Sequence, residues 1–254
     1  MFEVVPLQAL QDNYVWTLRN ATHAAVVDPG EARPVLEYLA REKLALAAIL
    51  ATHHHPDHVG GIPDLLEHAR VPVYGPKAEP IPTLTHPVGG GDVVAIAELG
   101  AQFEVIDIPG HTRAHIAYYG LESLFCGDTL FACGCGRLFE GTPAQMLESL
   151  SRLAALPDAT RVYCGHEYTL ANIKFARAVE PGNAALAARE TAMRALRDAG
   201  KPTLPSTMRD ERATNPFLRW KEPAVIESAN KYLGSRASDP VSVFAAIREW
   251  KNRT

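Results

Sequence analysis

The chain has 254 residues, with 25 lysine and arginine residues against 29 aspartate and glutamate residues, and its formal net charge is −4. Hydrophobic residues make up 47% of the sequence and charged residues 21%, which is typical of a globular protein and excludes a disordered or fibrous one. The acidic balance and the lack of a basic run also argue against a nucleic-acid-binding protein.

Neither a secretory signal nor a membrane span is predicted. Residues 1–16 contain Glu3 and Asp12 and no cationic stretch ahead of an apolar one. The longest apolar run, residues 44–51, is far shorter than the ~20 residues that cross a bilayer, so it predicts a buried strand. We therefore expect a soluble, cytoplasmic protein with no membrane partner. Its cysteines lack the spacing of a structural zinc site and are expected to be reduced: Cys126, Cys133, Cys135 and Cys164.

Short segments rich in β-branched and aromatic residues follow one another through the first two thirds of the chain, separated by glycine and proline. Helices are predicted between some of them, over residues 34–42 and 62–69. The predicted strands cover residues 3–7, 14–18, 24–27, 46–51, 71–74, 93–97, 103–108, 116–119 and 124–126.

The remainder of the chain is predicted to be mainly helical. Thr142, Pro143 and Gln145 suit the cap, the first turn and the capping box of a helix that runs to about residue 156. A strand follows over residues 161–164, and strands are then expected to stop. Further helices are predicted over residues 170–179, 184–199, 224–233 and 240–251, with an extended stretch at 201–219. We place a domain boundary at residue 168.

A run of metal-competent side chains follows the apolar strand 46–51. Residues 52–58 read THHHPDH and therefore contain four imidazoles and a carboxylate at the end of a strand, where ligand sites are common. Alternate side chains of an extended backbone point the same way, so His53 and His55 can share one metal ion. Pro56 turns the chain, which allows Asp57 and His58 to face a second ion.

Three further candidates lie at the ends of other predicted strands: His111, Asp128 and His166. In this order the set His53-x-His55-x-Asp57-His58, His111, Asp128 and His166 resembles the metallo-β-lactamase superfamily over about residues 1–168. The resemblance implies an α/β fold, an αββα sandwich with a pair of metal ions. It implies that His53, His55 and His111 hold one ion, that Asp57, His58 and His166 hold the other, and that Asp128 bridges them.

Such a pair of ions implies hydrolytic chemistry. A divalent ion lowers the pKa of bound water to about 7, which provides hydroxide at neutral pH, and its charge stabilises a tetrahedral oxyanion. We expect Asp57 to orient that hydroxide as a hydrogen-bond acceptor. Zinc is the expected metal because several ligands are histidines, but iron or manganese also suits a mixed set of nitrogen and oxygen ligands.

The rest of the sequence resembles one family within that superfamily, glyoxalase II, the hydroxyacylglutathione hydrolases. The resemblance is carried by segments 134–142 (GCGRLFEGT), 164–169 (CGHEYT) and 214–219 (TNPFLR), and by Arg248-x-x-Lys251. It implies that residues 1–168 form the catalytic domain and that residues 169–254 form a helical domain that binds the glutathione part of the substrate. The implied reaction cleaves S-D-lactoylglutathione to D-lactate and glutathione, in the disposal of methylglyoxal.

Arg137, Tyr168, Arg248 and Lys251 match positions that bind glutathione in that family, and guanidinium groups suit its carboxylates. Phe139 lies where the family often has tyrosine, so one phenolic hydrogen bond is lost and the affinity for glutathione is open to test. Arg248 and Lys251 lie on one face of the last predicted helix, where a solvated basic face is the alternative. A thiolate leaving group needs no strong general acid, because thiols have a pKa near ~8.5.

Other functions stay open at this level. A lactonase or a β-lactamase of the same fold would have no use for Arg248 and Lys251, and a scaffold protein would be expected to have lost a metal ligand. A nuclease is disfavoured by the acidic charge. We expect a monomer that binds a small glutathione thioester, with Asp28 accepting a hydrogen bond from a ligand histidine and with His54 and His115 outside the ligand set.

Overall fold

The computed structural model describes residues 3–237 and 239–254. The chain divides into two compact units. The first runs to Asp107 and resumes over Arg113–Gly127, and the second comprises Ile108–Thr112 and the chain from Asp128 onward. The domain boundary at residue 168 stays a prediction, because the compact units divide the chain at other positions.

A six-stranded sheet forms the first part of the first unit. Its strands follow chain order, with antiparallel pairing among the first three and parallel pairing among the last four. The strands are β1 (Glu3–Ala9), β2 (Asn13–Arg19), β3 (His23–Val27), β4 (Ala45–Leu50), β5 (Val73–Pro76) and β6 (His86–Val88). The helices of this unit are α1 (Arg33–Glu42), α2 (Pro56–Val59) and α3 (Ile62–His68).

The apolar spacing of α1 explains how the helix packs. Val35, Tyr38 and Leu39 recur at helical spacing, are buried, and belong to one hydrophobic cluster with Val26 of β3 and Ile49 of β4. β4 is apolar along its whole length, as expected for a parallel strand between two neighbours. The histidine-rich segment therefore follows directly on the buried end of β4.

The other four strands of the first unit pair in chain order as an antiparallel meander. Two contacts join it to the end of β4: the hydroxyl of Tyr118 donates to the carbonyl of Ala51 over 2.9 Å, and the amide of Ile116 donates to the carbonyl of Thr52 over 3.0 Å. These strands are β7 (Val93–Ile96), β8 (Ala101–Asp107), β9 (Ile116–Gly120) and β10 (Ser123–Gly127), with a 3₁₀ turn at Ala97–Leu99.

The second unit is mainly helical. A short hairpin, β11 (Leu130–Phe131) with β12 (Gly134–Cys135), precedes its first helix. The later elements are α4 (Pro143–Ala154), β13 (Arg161–Cys164), α5 (Thr169–Val179), α6 (Ala184–Asp198), β14 (Ser206–Thr207), α7 (Met208–Thr214), α8 (Pro223–Leu233) and α9 (Pro240–Asn252). In the part of the chain that the structure describes, no helix combines the length and the apolar character needed to cross a membrane.

Two predictions about the C-terminal part are wrong. Strands do not stop at residue 168, because β14 pairs with β13 in antiparallel register. The stretch 201–219 is not simply extended, since it contains β14 and α7. A two-residue strand has no periodicity to detect. The sequence of α7, MRDERAT, has no apolar stripe, and its folding depends on the cap formed by Thr207 and on the burial of Glu211.

Candidate metal centre and adjoining cavity

The histidine-rich segment of the first unit leaves the buried end of β4. His53 is fully buried, and its Nε2 lies 3.1 Å from the Nδ1 of His55. The Nδ1 of His53 lies 3.0 Å from the hydroxyl of Thr52, which is itself directed at Asp28. The structure therefore brings His53 and His55 together, as the alternation along the chain predicted.

Asp28 anchors this segment from the end of β3. One carboxylate oxygen accepts the amide of Thr52 over 2.7 Å, and the other accepts its hydroxyl over 2.8 Å and lies 3.0 Å from the Nδ1 of His58. Asp28, His53 and His58 offer ligand atoms within 4.8 Å of one another. Both oxygens of Asp28 already accept hydrogen bonds from Thr52, and its position beside the Nδ1 of His58 is consistent with the predicted role of accepting a hydrogen bond from a ligand histidine.

Asp57 lies in the first turn of α2, and its side chain is 38% exposed. Its Oδ2 accepts a hydrogen bond from the Nδ2 of Asn13 over 3.1 Å and lies 3.5 Å from the Nε2 of His58. Asn13 also donates to the carbonyl of Asp57 over 3.2 Å. The sequence interpretation missed Asn13, because an asparagine at the start of a strand carries no motif.

His54 and His115 lie beside the cluster in different ways. The carboxylate of Glu79 lies 2.7 Å from both the amide nitrogen and the Nδ1 of His54. The ring of His115 stacks on that of His53, with centroids 4.5 Å apart. Glu79, the partner of His54, is a residue that no sequence pattern had indicated, and the expectation that His54 and His115 lie outside the ligand set stays a prediction.

Asp128 lies between the two other predicted metal ligands of the second unit, His111 and His166. Its Oδ2 lies 3.5 Å from the Nε2 of His111 and 3.3 Å from the Nε2 of His166. A carboxylate oxygen between two imidazole nitrogens suits a bridging ligand. Gly136 packs against this group so closely that a Cβ there would lie 1.9 Å from the carbonyl oxygen of Asp128, which explains the glycine.

Hydrogen-bond chemistry indicates which nitrogen of an imidazole would bind a metal. An ionised carboxylate and a carbonyl can only accept, so the proton is assigned to the Nδ1 of His58, beside Asp28. It is likewise assigned to the Nδ1 of His111, which lies 2.9 Å from the carbonyl of Arg137. Nε2 of each ring then carries the lone pair. Imidazole nitrogens and carboxylate oxygens arranged in this way fit divalent ions such as zinc, iron or manganese.

A cavity of about 410 Å³ lies in the second unit. All five residues predicted to bind substrate line it, together with two predicted metal ligands and a residue that was not predicted, Asn172. The predicted residues that line it are Arg137, Phe139, Tyr168, Arg248 and Lys251, with His111 and Asp128. The structure thus brings the predicted binding residues to one cavity.

Arg248 and Lys251 are not a solvated basic face. Arg248 is 3% exposed, donates to the carbonyl of Cys135 over 2.7 Å, and lies over the ring of Phe217 at 5.2 Å. The ammonium of Lys251 lies 5.7 Å from the ring centroid of Phe175. Burial, together with the charge of Arg248, lowers the pKa of Lys251 to about 7. These cations therefore rest on aromatic rings inside a cavity, where an anionic ligand would stabilise them.

Two aromatic residues connect the cavity to the predicted ligands. The ring of Tyr168 stacks on that of His166, with an interplanar angle of 2° and centroids 4.7 Å apart. Phe139 is 62% exposed and meets the ring of His111 edge-on, with centroids 5.2 Å apart. A ligand in the cavity would therefore reach past Phe139 and Tyr168 toward His111 and His166.

A buried polar network supports the hairpin that borders the cavity. The Nδ2 of Asn215 donates to the carbonyls of Phe131 over 3.1 Å and Gly134 over 2.9 Å. Glu211 accepts the amide of Cys133 over 2.8 Å and pairs with Arg189 at 2.6 Å. Asn215 lies in the TNPFLR segment, so the structure provides a physical reason for an asparagine in that motif.

Comparisons with known proteins decide the family. Residues 11–166 match the model of the metallo-β-lactamase superfamily, and residues 167–254 match the model of the hydroxyacylglutathione hydrolase C-terminus. The hydroxyacylglutathione hydrolase of Nitrosomonas eutropha is 55% identical over 252 residues, which cover 99% of each chain. The chain belongs to the hydroxyacylglutathione hydrolase family. The family's enzyme from Vibrio parahaemolyticus is 53% identical over 254 residues, again 99% of each chain.

Solved structures confirm the fold class. The BLEG-1 B3 metallo-β-lactamase is 26% identical with a TM-score of 0.63, and the match covers 86% of this chain and 99% of that one. TTHA1623, solved in a di-iron-bound form, is 32% identical with a TM-score of 0.54, and the match covers 65% of this chain and 91% of that one. The chain thus has the mixed α/β metallo-β-lactamase fold with a C-terminal helical region, as predicted.

Proposed function

We propose that this protein hydrolyses S-D-lactoylglutathione, or a related S-2-hydroxyacylglutathione, to D-lactate and glutathione in the detoxification of methylglyoxal. The observation that carries the proposal is the cavity of the second unit, which is lined by Arg137, Arg248 and Lys251 as well as by His111 and Asp128. The same cavity therefore contains positively charged side chains, which suit the carboxylates of glutathione, and predicted metal ligands. The name of the full-length relatives supports the same substrate class.

The proposed centre holds two divalent ions, with zinc preferred and iron or manganese as alternatives. His53, His55 and His111 would hold one ion, Asp57, His58 and His166 would hold the other, and Asp128 would bridge them. The pairing of His53 with His55 in one unit, and the position of Asp128 between His111 and His166 in the other, support this division. When bound, such ions supply activated water and polarise a carbonyl.

The side chains of the chain itself have separate roles in this proposal. Asp57 accepts a hydrogen bond from the attacking nucleophile and is held in place by Asn13. Arg248 and Lys251 bind a carboxylate of glutathione, while Arg137, Tyr168 and Phe139 contact the glutathione part of the substrate beside them. The departing thiolate needs no acid at neutral pH, because thiols have a pKa near ~8.5. We also propose that residues 169–254 form the substrate-binding domain and that the enzyme is a cytoplasmic monomer.

The deciding experiment measures kcat/KM for S-D-lactoylglutathione with the metal-loaded protein. A chelated sample and a thioester without glutathione serve as controls. We expect turnover that is lost on chelation and is strongly selective for the glutathione thioester. Metal-dependent hydrolysis without that selectivity would contradict the substrate assignment and direct the assay to lactones and β-lactams.

A double variant distinguishes a glutathione thioesterase from a lactonase of the same fold. Replacing both Arg248 and Lys251 with methionine removes two cations and keeps apolar side chains of similar length. We expect KM for the glutathione thioester to rise at least about tenfold, since hydrogen bonds to charged groups contribute about 1.5–3 kcal/mol each. An unchanged KM would contradict the assigned binding site.

A further inference from the structure

Asn172 is a buried polar residue of α5 that lines the cavity and that neither the metal centre nor the predicted binding set includes. It is 3% exposed. Its Nδ2 donates to the carbonyl of Ala132 over 2.9 Å, and its Oδ1 accepts a hydrogen bond from the ammonium of Lys251. The described hydrogen bonds of this side chain therefore connect the hairpin region with Lys251.

The chemistry of its two partners fixes the orientation of this amide. A carbonyl can only accept a hydrogen bond, so the NH₂ group of Asn172 must face Ala132. A lysine ammonium can only donate, so the carbonyl oxygen of the amide must face Lys251. The reversed amide would put two acceptors together and two donors together, and it is excluded on that ground.

The surroundings of Asn172 hold the amide still. A Cβ on Gly134 would lie 2.6 Å from the Cγ of Asn172, so the hairpin presses closely on the amide plane. That hairpin is itself anchored by Asn215 and by Glu211, which accepts the amide of Cys133 at a left-handed residue with φ of 55°. The oxygen that Asn172 presents to Lys251 therefore has a defined position.

Lys251 has no carboxylate among its described partners that would hold its ammonium in place. The groups that act most on its pKa are Arg248 on α9, Arg137 after β12, and the thiols of Cys133 and Cys135 in the hairpin, while His111, Asp128 and Tyr168 line the same cavity. Burial raises the pKa of both thiols, that of Cys133 to about 12, so they are neutral near pH 7. The neutral amide oxygen of Asn172 can steady the ammonium without cancelling its charge, which leaves that charge for a carboxylate of the ligand.

We propose that Asn172 is a positioning residue, which the hairpin carbonyl of Ala132 fixes and which holds the Lys251 ammonium where a carboxylate of the substrate meets it. The inference rests on the proposed function for the identity of the substrate. The glycine carboxylate of glutathione is the suitable partner, because the other carboxylate of glutathione lies beside its own ammonium group. Arg248 and Lys251 are both cations, so they suit a carboxylate that has no positive charge of its own beside it.

The test compares Asn172→Ala, which removes the acceptor, with Asn172→Asp, which keeps the shape and adds a negative charge. Steady-state kinetics should show KM for S-D-lactoylglutathione raised about tenfold in Asn172→Ala, with kcat nearly unchanged. Asn172→Asp should also raise KM, because its carboxylate competes with that of the substrate. Asn230→Ala, a half-buried asparagine of α8 that does not line this cavity, is the matched control and should leave KM unchanged.

A titration without substrate separates positioning from a merely structural role. Labelled with ¹³C at the lysine ε-carbon, the protein reports the pKa of Lys251 by NMR, with Lys251→Met to assign the signal. The pKa of Lys251 should fall in Asn172→Ala, which loses an acceptor, and rise in Asn172→Asp, which gains a charge. If the substitutions only disturbed the local structure, the pKa of Lys251 would shift in the same direction in both variants. That result would overturn the proposal.

The substrate provides a second readout. A thioester of glutathione with an amidated glycine carboxylate should bind more weakly to the wild-type protein, and Asn172→Ala should then add little to its KM. An equal effect of Asn172→Ala on both substrates would overturn the proposal. A wild-type protein that hydrolyses neither thioester would contradict the proposed function, whereas unshifted NMR titrations would contradict the role of Asn172.

Discussion

Glu79 is a buried carboxylate that joins two segments of the first unit. Its side chain is 2% exposed, and it receives the amide of His54 at 2.7 Å and the amide of Ala114 at 3.2 Å. Because His54 lies between two predicted metal ligands, the position of Glu79 determines how firmly that segment is held. Such supporting contacts change metal affinity by about 10–100-fold in other metal sites.

We expect Glu79→Gln to weaken metal binding about tenfold, because the neutral amide would turn an NH₂ group toward a backbone N–H. Competition with a chromophoric chelator at fixed pH measures the affinity directly. Glu98→Gln, at an exposed position of the same unit, is the control. Equal metal affinity in Glu79→Gln and the wild type would show that the segment does not need this carboxylate.

Phe139 occupies a position where the family often has a tyrosine, and its ring is largely exposed at the cavity. Phe139→Tyr should lower KM for the glutathione thioester about fivefold, since one hydrogen bond contributes about 1 kcal/mol. Steady-state kinetics measure the effect, and Phe139→Leu shows how much of it belongs to the ring alone. A KM that does not fall in Phe139→Tyr would mean that the phenol finds no partner on the substrate.

At the scale of a helix, α4 begins with the capping box that the sequence predicted. The hydroxyl of Thr142 accepts the amide of Gln145 over 3.2 Å, and the side chain of Gln145 accepts the amide of Thr142 over 2.9 Å. Thr142→Ala removes one of these bonds and should lower the free energy of unfolding by about 1 kcal/mol. Urea denaturation measures it. Thr191→Ala, at an exposed interior position of α6, should cause no comparable loss.

Helix α9 carries a half-buried lysine whose charge costs stability. The pKa of Lys251 is about 7 in the folded protein, below its ordinary value of 10.5, because of burial and the nearby Arg248. Between those pH values the unfolded chain binds more protons, so this residue makes the protein more stable as the pH rises. We expect Tm of the wild type minus Tm of Lys251→Met to increase from pH 7 to 9.5. A constant difference would contradict the lowered pKa.

At the scale of the whole molecule, bound metal should stabilise the fold, because the ligands are far apart in sequence and unfolding separates them. At a free concentration of 100 times Kd an ion adds about 2.7 kcal/mol, which corresponds to a Tm increase of several degrees. We expect chelation to lower Tm by about 5–10 °C and zinc to restore it. Magnesium, which prefers oxygen ligands, should not restore it. An unchanged Tm would contradict a metal centre.

Much of the chain could be predicted because the deciding signals are local. The cap of α4, the apolar run of β4 and the spacing in THHHPDH depend on neighbouring residues, and these predictions agree with the structure. The fold class was within reach for the same reason, since the ligand pattern resembles a family that the comparisons confirm. By contrast, β14 and α7 were missed because a two-residue strand and a polar helix have no apolar period.

The sequence by itself determined the fold class, the family and the residue types available for a metal centre, because short-range spacing and motif order specify them. Only the tertiary structure decided which polar groups support those residues. Asn13, Glu79, Asn172 and Glu211 each hold a partner between 25 and 79 residues away in sequence. Such pairs leave no periodic trace, since folding alone brings their atoms within hydrogen-bond distance.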